Sequence, residues 1–408
     1  MPPAYSLDDF MPFHRSFTPF LRFFLFPAVL CVAVFSGQAL SAIEVRDLDQ
    51  IEVPVENQSV AARNNAFQVA MGLVLIRLSG ARDILEAPAV GPIVSDAARY
   101  VRGFSYLEKD AISSTARVSG AKQLFISVEF AGDALQKELR NAGLPVWSVN
   151  RPATLLWLAV REPGGRFILG EGSNNPVKQA VILAANRRGI PLILPLMDTE
   201  DSNRVAFGDI SGGFDDSVLR ASDRYNAPVV LIGFLDIDRS GQWAAKWTVL
   251  RENVSSGWQE RGIDLQQAVD TGIDGLADIL ASRYAFGGGD GQLVEYVVAV
   301  ERLISMDDYA RVLNYLDELV LTEDVTPVRI ESGHAYFRVL MRGSIQELER
   351  ALGLMPGLKP VTGIPIQLPP LGQRQLRTQT TPGITDTLQA QLLSVRERAD
   401  LYFTYFSR

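Results

Sequence analysis

The 408 residues contain two histidines, His14 and His334, and a single cysteine, Cys31. Catalysis needs side chains that carry protons, attack, or hold a metal, and this chain offers few. His334 follows Glu331-Ser332-Gly333, which reads as a hairpin turn. A Ser-His-Asp triad would have to use it. A triad also needs an oriented base and an oxyanion site, so the expectation is an exposed turn histidine. Zinc favours thiolates and imidazoles, and too few are present to hold it. Carboxylates remain. Asp209, Asp215 and Asp216 lie in FGDISGGFDD, a glycine-rich stretch that could hold a hard cation or do the acid–base work of a hydrolase. Its spacing is not that of an EF-hand. Asp215 or Asp216 would equally suit the first turn of a following helix, where the dipole favours negative charge. Asp307 and Asp308 follow a capping Ser305, and Asp236 and Asp238 flank a hairpin turn. There is no Gly-x-Ser-x-Gly elbow and no dinucleotide fingerprint. No catalytic, cofactor-binding or metal-ligating residue is therefore assigned, and no cofactor is expected.

The elements that would position these residues fall into three units, predicting a multi-domain protein of mixed α+β and α/β class. The first, 43–152, is α+β. A strand near 51–55 leads into a helix with Phe67, Met71, Val74, Leu75 and Leu78 at spacings of three and four. A weaker helix runs through Ile93, Val94, Ala97 and Val101. Strands near 104–107 and 124–130 and a helix over 131–141 follow. The second unit, 153–286, is a small α/β sheet of order β-α-β-α-β-β-α. Residues 155–160 form an apolar run typical of a buried strand. The next helix has Asn175 as cap, Pro176 in its first turn and Gly189 past its end. Trp243, Ala245, Trp247 and Val249 share one face of a strand. The two tryptophans either fill the core or anchor an interface.

Gly287-Gly288-Gly289-Asp290-Gly291 reads as a linker over 287–291. It lacks the strand, helix and Lys of a phosphate-binding loop. The third unit, 292–360, has the order β-α-β-β-α, with a capping box at Ser344-Ile345-Gln346-Glu347. That order suggests a ferredoxin-like split β-α-β unit whose fourth strand is not evident. The tail, 361–408, is rich in Pro, Gln and Thr. Its end reads as a terminal helix with Leu388, Leu392 and Val395 on one side, finishing in Tyr402, Phe403, Tyr405 and Phe406. Docking of that aromatic end onto the protein's own domains is expected before a partner or a membrane surface.

The start of the chain reads as an export signal, 1–39. The apolar run FFLFPAVLCVAVF at 23–35 has signal length and is short for a bilayer span. Arg15 and Arg22 precede it and small residues follow. Cleavage after Ala39 puts Gly37 and Ala39 at −3 and −1. Ser41 and Ala42 are alternative sites, and an uncleaved membrane anchor is the alternative reading. Asp8 and Asp9 are unusual before such a run, so Met11 is an alternative start to Met1. Leu30, before Cys31, does not fit a lipoprotein signal. The net charge of −8, with both signs mixed, argues against nucleic acid and supplies no polybasic patch for anionic lipid.

Several blocks carry a resemblance. EVPVENQSVAARNNAFQVAMGLVLIRLSG, the run Ala97-Ala98-Arg99-Tyr100-Val101, NAGLPVWSVNRPATLLWLAV and RGIPLILPLMDTED together resemble domain-of-unknown-function family 2066 over roughly 43–284. These are exported proteobacterial proteins. The resemblance implies a secreted bacterial protein and brings no catalytic residue. Residues 225–233, YNAPVVLIG, are similar to a helix-to-strand corner in amino-terminal domains of periplasmic assembly proteins of the Tol and curli systems, which carry Asp where Pro228 stands. That similarity implies protein docking. The expectation is a non-catalytic periplasmic adaptor or assembly factor binding other envelope proteins. The alternatives are a carboxylate-dependent hydrolase near Asp209 and Asp215, or a signal-anchored inner-membrane protein with periplasmic domains. Membrane contact would run only through an uncleaved leader or the C-terminal aromatics. Oligomeric state is not legible.

Overall fold

The computed structural model describes residues 42–110, 122–251, 254–262, 264–287, 293–331, 333–361 and 399–407. The expected leader with Cys31, residues 288–291 of the glycine run and residues 362–398 of the tail, with its expected terminal helix through Leu388, Leu392 and Val395, lie outside them. The protein is of mixed α+β and α/β class, with several sheets and several hydrophobic cores.

The first module comprises β1 (Ala42–Glu44), β2 (Gln50–Pro54), α1 (Val60–Ser79), α2 (Val90–Ser95), β3 (Val101–Asp110), β4 (Lys122–Phe130), α3 (Gly132–Asn141) and β5 (Val146–Trp147). Ser59 starts α1 by accepting the Ala62 N–H, and Gly80 ends it in the left-handed region. Phe67, Met71, Val74, Leu75 and Leu78 form the buried stripe of α1. They lie against Ile126, Val128 and Phe130 of an antiparallel sheet of order β2-β4-β3. The weaker helix expected through Val101 is shorter. It breaks at Asp96 into a single turn of tighter helix, and Val101 already begins β3.

The second module is built from β6 (Asn150–Pro152), β7 (Thr154–Glu162), β8 (Gly165–Ile168), α4 (Pro176–Arg188), β9 (Leu192–Ile193), α5 (Thr199–Arg204), α6 (Phe207–Gly212), α7 (Asp215–Ser222), β10 (Val229–Ile237), β11 (Trp243–Arg251), β12 (Val254–Gly262) and α8 (Leu265–Tyr284). The sheet order is β12-β11-β10-β7-β8, with β9 also beside β7. β7 pairs in parallel with β10 and β9, and the remaining pairs are antiparallel. Both faces are covered. Helices α4 and α8 bury one side of the sheet, and residues of α6 and α7 bury the other. That explains the unbroken apolar sequence of β7. A parallel strand shows both faces to packed layers, so alternation disappears.

Short pairings join these two modules. β1 pairs with β6, and β5 pairs with β13 (Ala285–Phe286) after α8. Trp147 of β5 lies in the core of the second module.

The third module contains β14 (Leu293–Glu301), α9 (Met306–Asp317), β15 (Thr322–Glu331), β16 (His334–Arg342), α10 (Ile345–Gly353), β17 (Leu358–Pro360) and β18 (Leu401–Tyr405). Capping boxes at Ser305/Asp308 and Ser344/Glu347 start both helices. The sheet order is β15-β16-β14-β18-β17. β17 runs in the direction of a fourth ferredoxin-like strand, but β18 separates it from β14 and is parallel to β14. The aromatic end of the tail is thus a strand, not the end of a helix. Period-two alternation of Leu401, Phe403 and Tyr405 wins, and Phe403 and Tyr405 complete the third core.

Candidate functional site

Open α/β sheets bind ligands outside the carboxyl ends of parallel strands, where neighbouring connections diverge. Here that place lies at the ends of β7 and β10. The chain leaves β7 through β8 and α4, and leaves β10 through the hairpin to β11. Arg161 and Asp236 stand opposite one another there. Arg161 Nε donates to Asp236 Oδ1 at 2.8 Å, and a second guanidinium nitrogen donates to Oδ2. This pairing holds the Asp236 carboxyl below its usual range. The Arg161 guanidinium lies 5.3 Å over the Phe234 ring, and Phe234 meets Phe207 of α6 edge-on at 6.0 Å. Arg166 covers Phe207 at 5.4 Å. An ion pair and an aromatic stack therefore close this rim.

The carboxylates singled out from the sequence serve separate local structures. Asp209 accepts the Ala206 N–H at 2.7 Å and serves the start of α6. Asp215 and Asp216 occupy the first turn of α7. Burial pushes the Asp215 carboxyl up, Lys246 opposes the shift, and Asp216 adds to it. Asp238 accepts from Ser240 and Gln242 inside its turn. Asp308 accepts the Ser305 N–H and the Ser407 hydroxyl. His334 opens β16, half exposed, with Nε2 at 3.9 Å from Glu301. Among the described residues no group of three or more His, Cys, Asp or Glu could hold a metal. Trp243 and Trp247 are both buried beneath α8, so of the two readings of this pair the core one holds.

One densely charged place has little signal in the sequence. It is the junction of the first two modules. Arg151 is wholly buried. Its Nε donates to the Ser148 carbonyl, one terminal nitrogen to the Arg188 and Gly189 carbonyls, and the other to the Arg77 carbonyl. The carboxyl-terminal ends of α1 and α4 thus meet on one cation, which suits both dipoles. The Trp147 ring lies 4.0 Å below the guanidinium. Burial, with the neighbouring charges of Arg77 and Arg188, lowers the Arg151 pKa well below normal. Arg77 donates to the Asp47, Leu48 and Gln50 carbonyls and is pulled down to about 10 by burial.

Beside them, Arg187 and Arg188 pair with Asp274, and Arg188 and Arg82 pair with Asp278. Asp270, Asp274 and Asp278 recur every fourth residue of α8, the one signal of this junction that the sequence carried. A cleft of about 750 Å³ opens here, lined among others by Gln50, Leu73, Arg77, Lys109, Leu183 and Asp270. Burial pushes the Asp270 carboxyl up.

A second network lies under α5. Fully buried Asp201 accepts from the Met197 N–H, from Arg224 and from the Tyr225 hydroxyl. Hydrogen bonds from Arg224 hold Asp198 down at about 2, and burial pushes Tyr225 up to about 12. These bonds fix the loop after β9, where Met197 takes a left-handed φ of 53°.

Residues 42–148 match the family described as Domain of unknown function (DUF8605). This corrects the expected family. The match is to a different domain from family 2066, and it stops at Ser148 instead of continuing to Tyr284. The blocks that suggested the other family are largely the amphipathic α1 and the apolar β7, whose patterns follow from packing and recur across α/β proteins. No curated protein matches the chain.

Proposed function

We propose that the protein is a non-catalytic adaptor or assembly factor that binds other cell-envelope proteins in the periplasm. The observation that carries this reading is the occupation of the acids. Asp209, Asp236, Asp238 and Asp308 each accept hydrogen bonds that build the fold. A general acid or base needs a carboxyl free to reach a substrate proton, with a pKa near the working pH. Asp236, at the rim where a ligand would bind, is instead held ionised by Arg161. The junction arginines are likewise turned onto backbone carbonyls and Asp274 and Asp278. The expected leader at 1–39 supports the location, and the net charge of −8 supports protein partners over nucleic acid.

The test combines crosslinking with genetics. Photo-crosslinkers placed at exposed Val69, Ile182 and Phe214 in living cells should capture the same envelope protein reproducibly from at least one position. Asp215→Asn and His334→Ala should each complement a deletion strain. Loss of complementation by either variant, with the protein folded, would overturn the reading in favour of the carboxylate-dependent hydrolase.

A further inference from the structure

Buried polar groups are normally satisfied, and one that is not calls for a partner. Arg77 is such a group. It lies in the last turn of α1 and is 6% exposed. Its hydrogen bonds leave from one nitrogen, Nη1, to the Asp47, Leu48 and Gln50 carbonyls. Among the described residues its buried Nε has no partner, and no ion pair joins the side chain. Burial lowers its pKa by more than the charge of Asp49 raises it, as befits a cation whose charge is not matched. The same side chain forms part of the wall of the cleft of about 750 Å³ between the first two modules.

We propose that this cleft binds a monocarboxylate with an aliphatic body, its carboxylate on the Arg77 guanidinium and its chain against Leu73 and Leu183. The rest of the wall selects that ligand. The other cations of the lining are committed. Lys109 pairs with Glu52, and Arg187 pairs with Asp270, which also accepts from Gln266. Arg46 is exposed and lies 3.8 Å from Glu44. Asp47, the remaining acid, is exposed as well, so water and salt screen it. The charge of buried Arg77 acts through less polar surroundings and is felt more strongly. One positive charge is thus left over, which suits a single negative charge. A doubly charged phosphate would meet the acids of the lining without a second uncommitted cation. Between the charged groups the wall is apolar, with Leu73 of α1 and Leu183 of α4, the latter 49% exposed. The volume falls in the range of about 300–1,000 Å³ of small-molecule sites, which set a few polar groups in an apolar wall. The three carbonyls on Nη1 fix the guanidinium before a ligand arrives. A planar carboxylate then loses little freedom of its partner on pairing.

The test uses the full chain, with octanoate and octanamide as probes. The two differ in charge and little in shape. Calorimetry at low salt should find octanoate bound at least about tenfold more tightly than octanamide. Octanoate should also move the Arg77 Nε–H signal in a proton–nitrogen correlation spectrum, a signal identified by its loss in Arg77→Lys. That variant keeps the charge but not the planar fork, and should weaken octanoate about ten- to hundredfold. Arg77 also holds the chain from Asp47 to Gln50, so a second pair of variants leaves it in place. Leu183→Asp and Leu183→Asn are alike in shape and change an exposed residue. The first should bind octanoate about two- to tenfold more weakly than the second, and both should bind octanamide equally. Equal affinity of the unchanged protein for the two probes overturns the proposal. So does an Arg77 signal that octanoate leaves in place, octanoate binding indifferent to the charge at 183, or no octanoate binding up to its solubility.

Discussion

Trp247 lies between two glycines. A Cβ on Gly272 of α8 would stand 2.1 Å from its Cε2, and a Cβ on Gly233 of β10 would stand 2.3 Å from its Cζ3. Strand alternation placed Trp243 and Trp247 on one face, which is a local fact. Whether a helix covers that face depends on residues some thirty positions further on, so alternation alone left core and interface open. Asp215 poses the corresponding question for a charge. Its pKa is raised, chiefly by burial. A carboxyl raised in the folded state contributes stability below its unfolded pKa and loses it as pH rises through the folded value. Ionised Asp215 should therefore weaken the fold at neutral pH. Asp215→Asn is expected to raise the melting temperature near pH 7 and to leave it unchanged near pH 3. Thermal melts at the two values check this, and an equal effect at both would refute the burial argument.

Elements whose signals are local were legible. Asn175, Pro176 and Gly189 bracket α4 as read, and the capping boxes at Ser305 and Ser344 open α9 and α10. The pairings were harder. β8 has four residues and no alternation long enough to see, and β12 reads as polar because an edge strand under one helix buries little. β18 reads as the end of a helix in the sequence because its partners lie far away in the chain. Its contribution to the third core can be measured. Phe403 is 1% exposed and Phe406 is 41% exposed. Phe403→Ala should cost about 3–5 kcal/mol, whereas Phe406→Ala, which loses only the ring between Arg302 and Lys359, should cost under about 1 kcal/mol. Denaturant titrations compare them. Equal costs would mean that β18 is not held as described.

Across the whole molecule, Arg151 joins what the chain keeps separate. Its five donors suit a fork of carbonyls from Ser148, Arg77 and the end of α4. Nothing in the sequence marked it, because its partners are backbone atoms. Arg151→Met keeps the bulk but leaves those carbonyls unpaired, and is expected to cost about 3–5 kcal/mol. Arg151→Lys should recover little, since a point charge cannot reach the same fork. Full recovery by lysine would show that charge alone matters there. The position of β18 has a different consequence, for the order of events during synthesis. Val297 and Asp400 are bonded across 103 residues. A ribosome delivers the amino-terminal partner first, so β14 waits with one side unsatisfied until residue 401 emerges. Contacts of such separation form slowly, and an unpaired strand invites the wrong neighbour meanwhile. The first two modules can close while this edge is still open. The growing chain thus carries its own aggregation hazard in its third module, for a period set by translation speed.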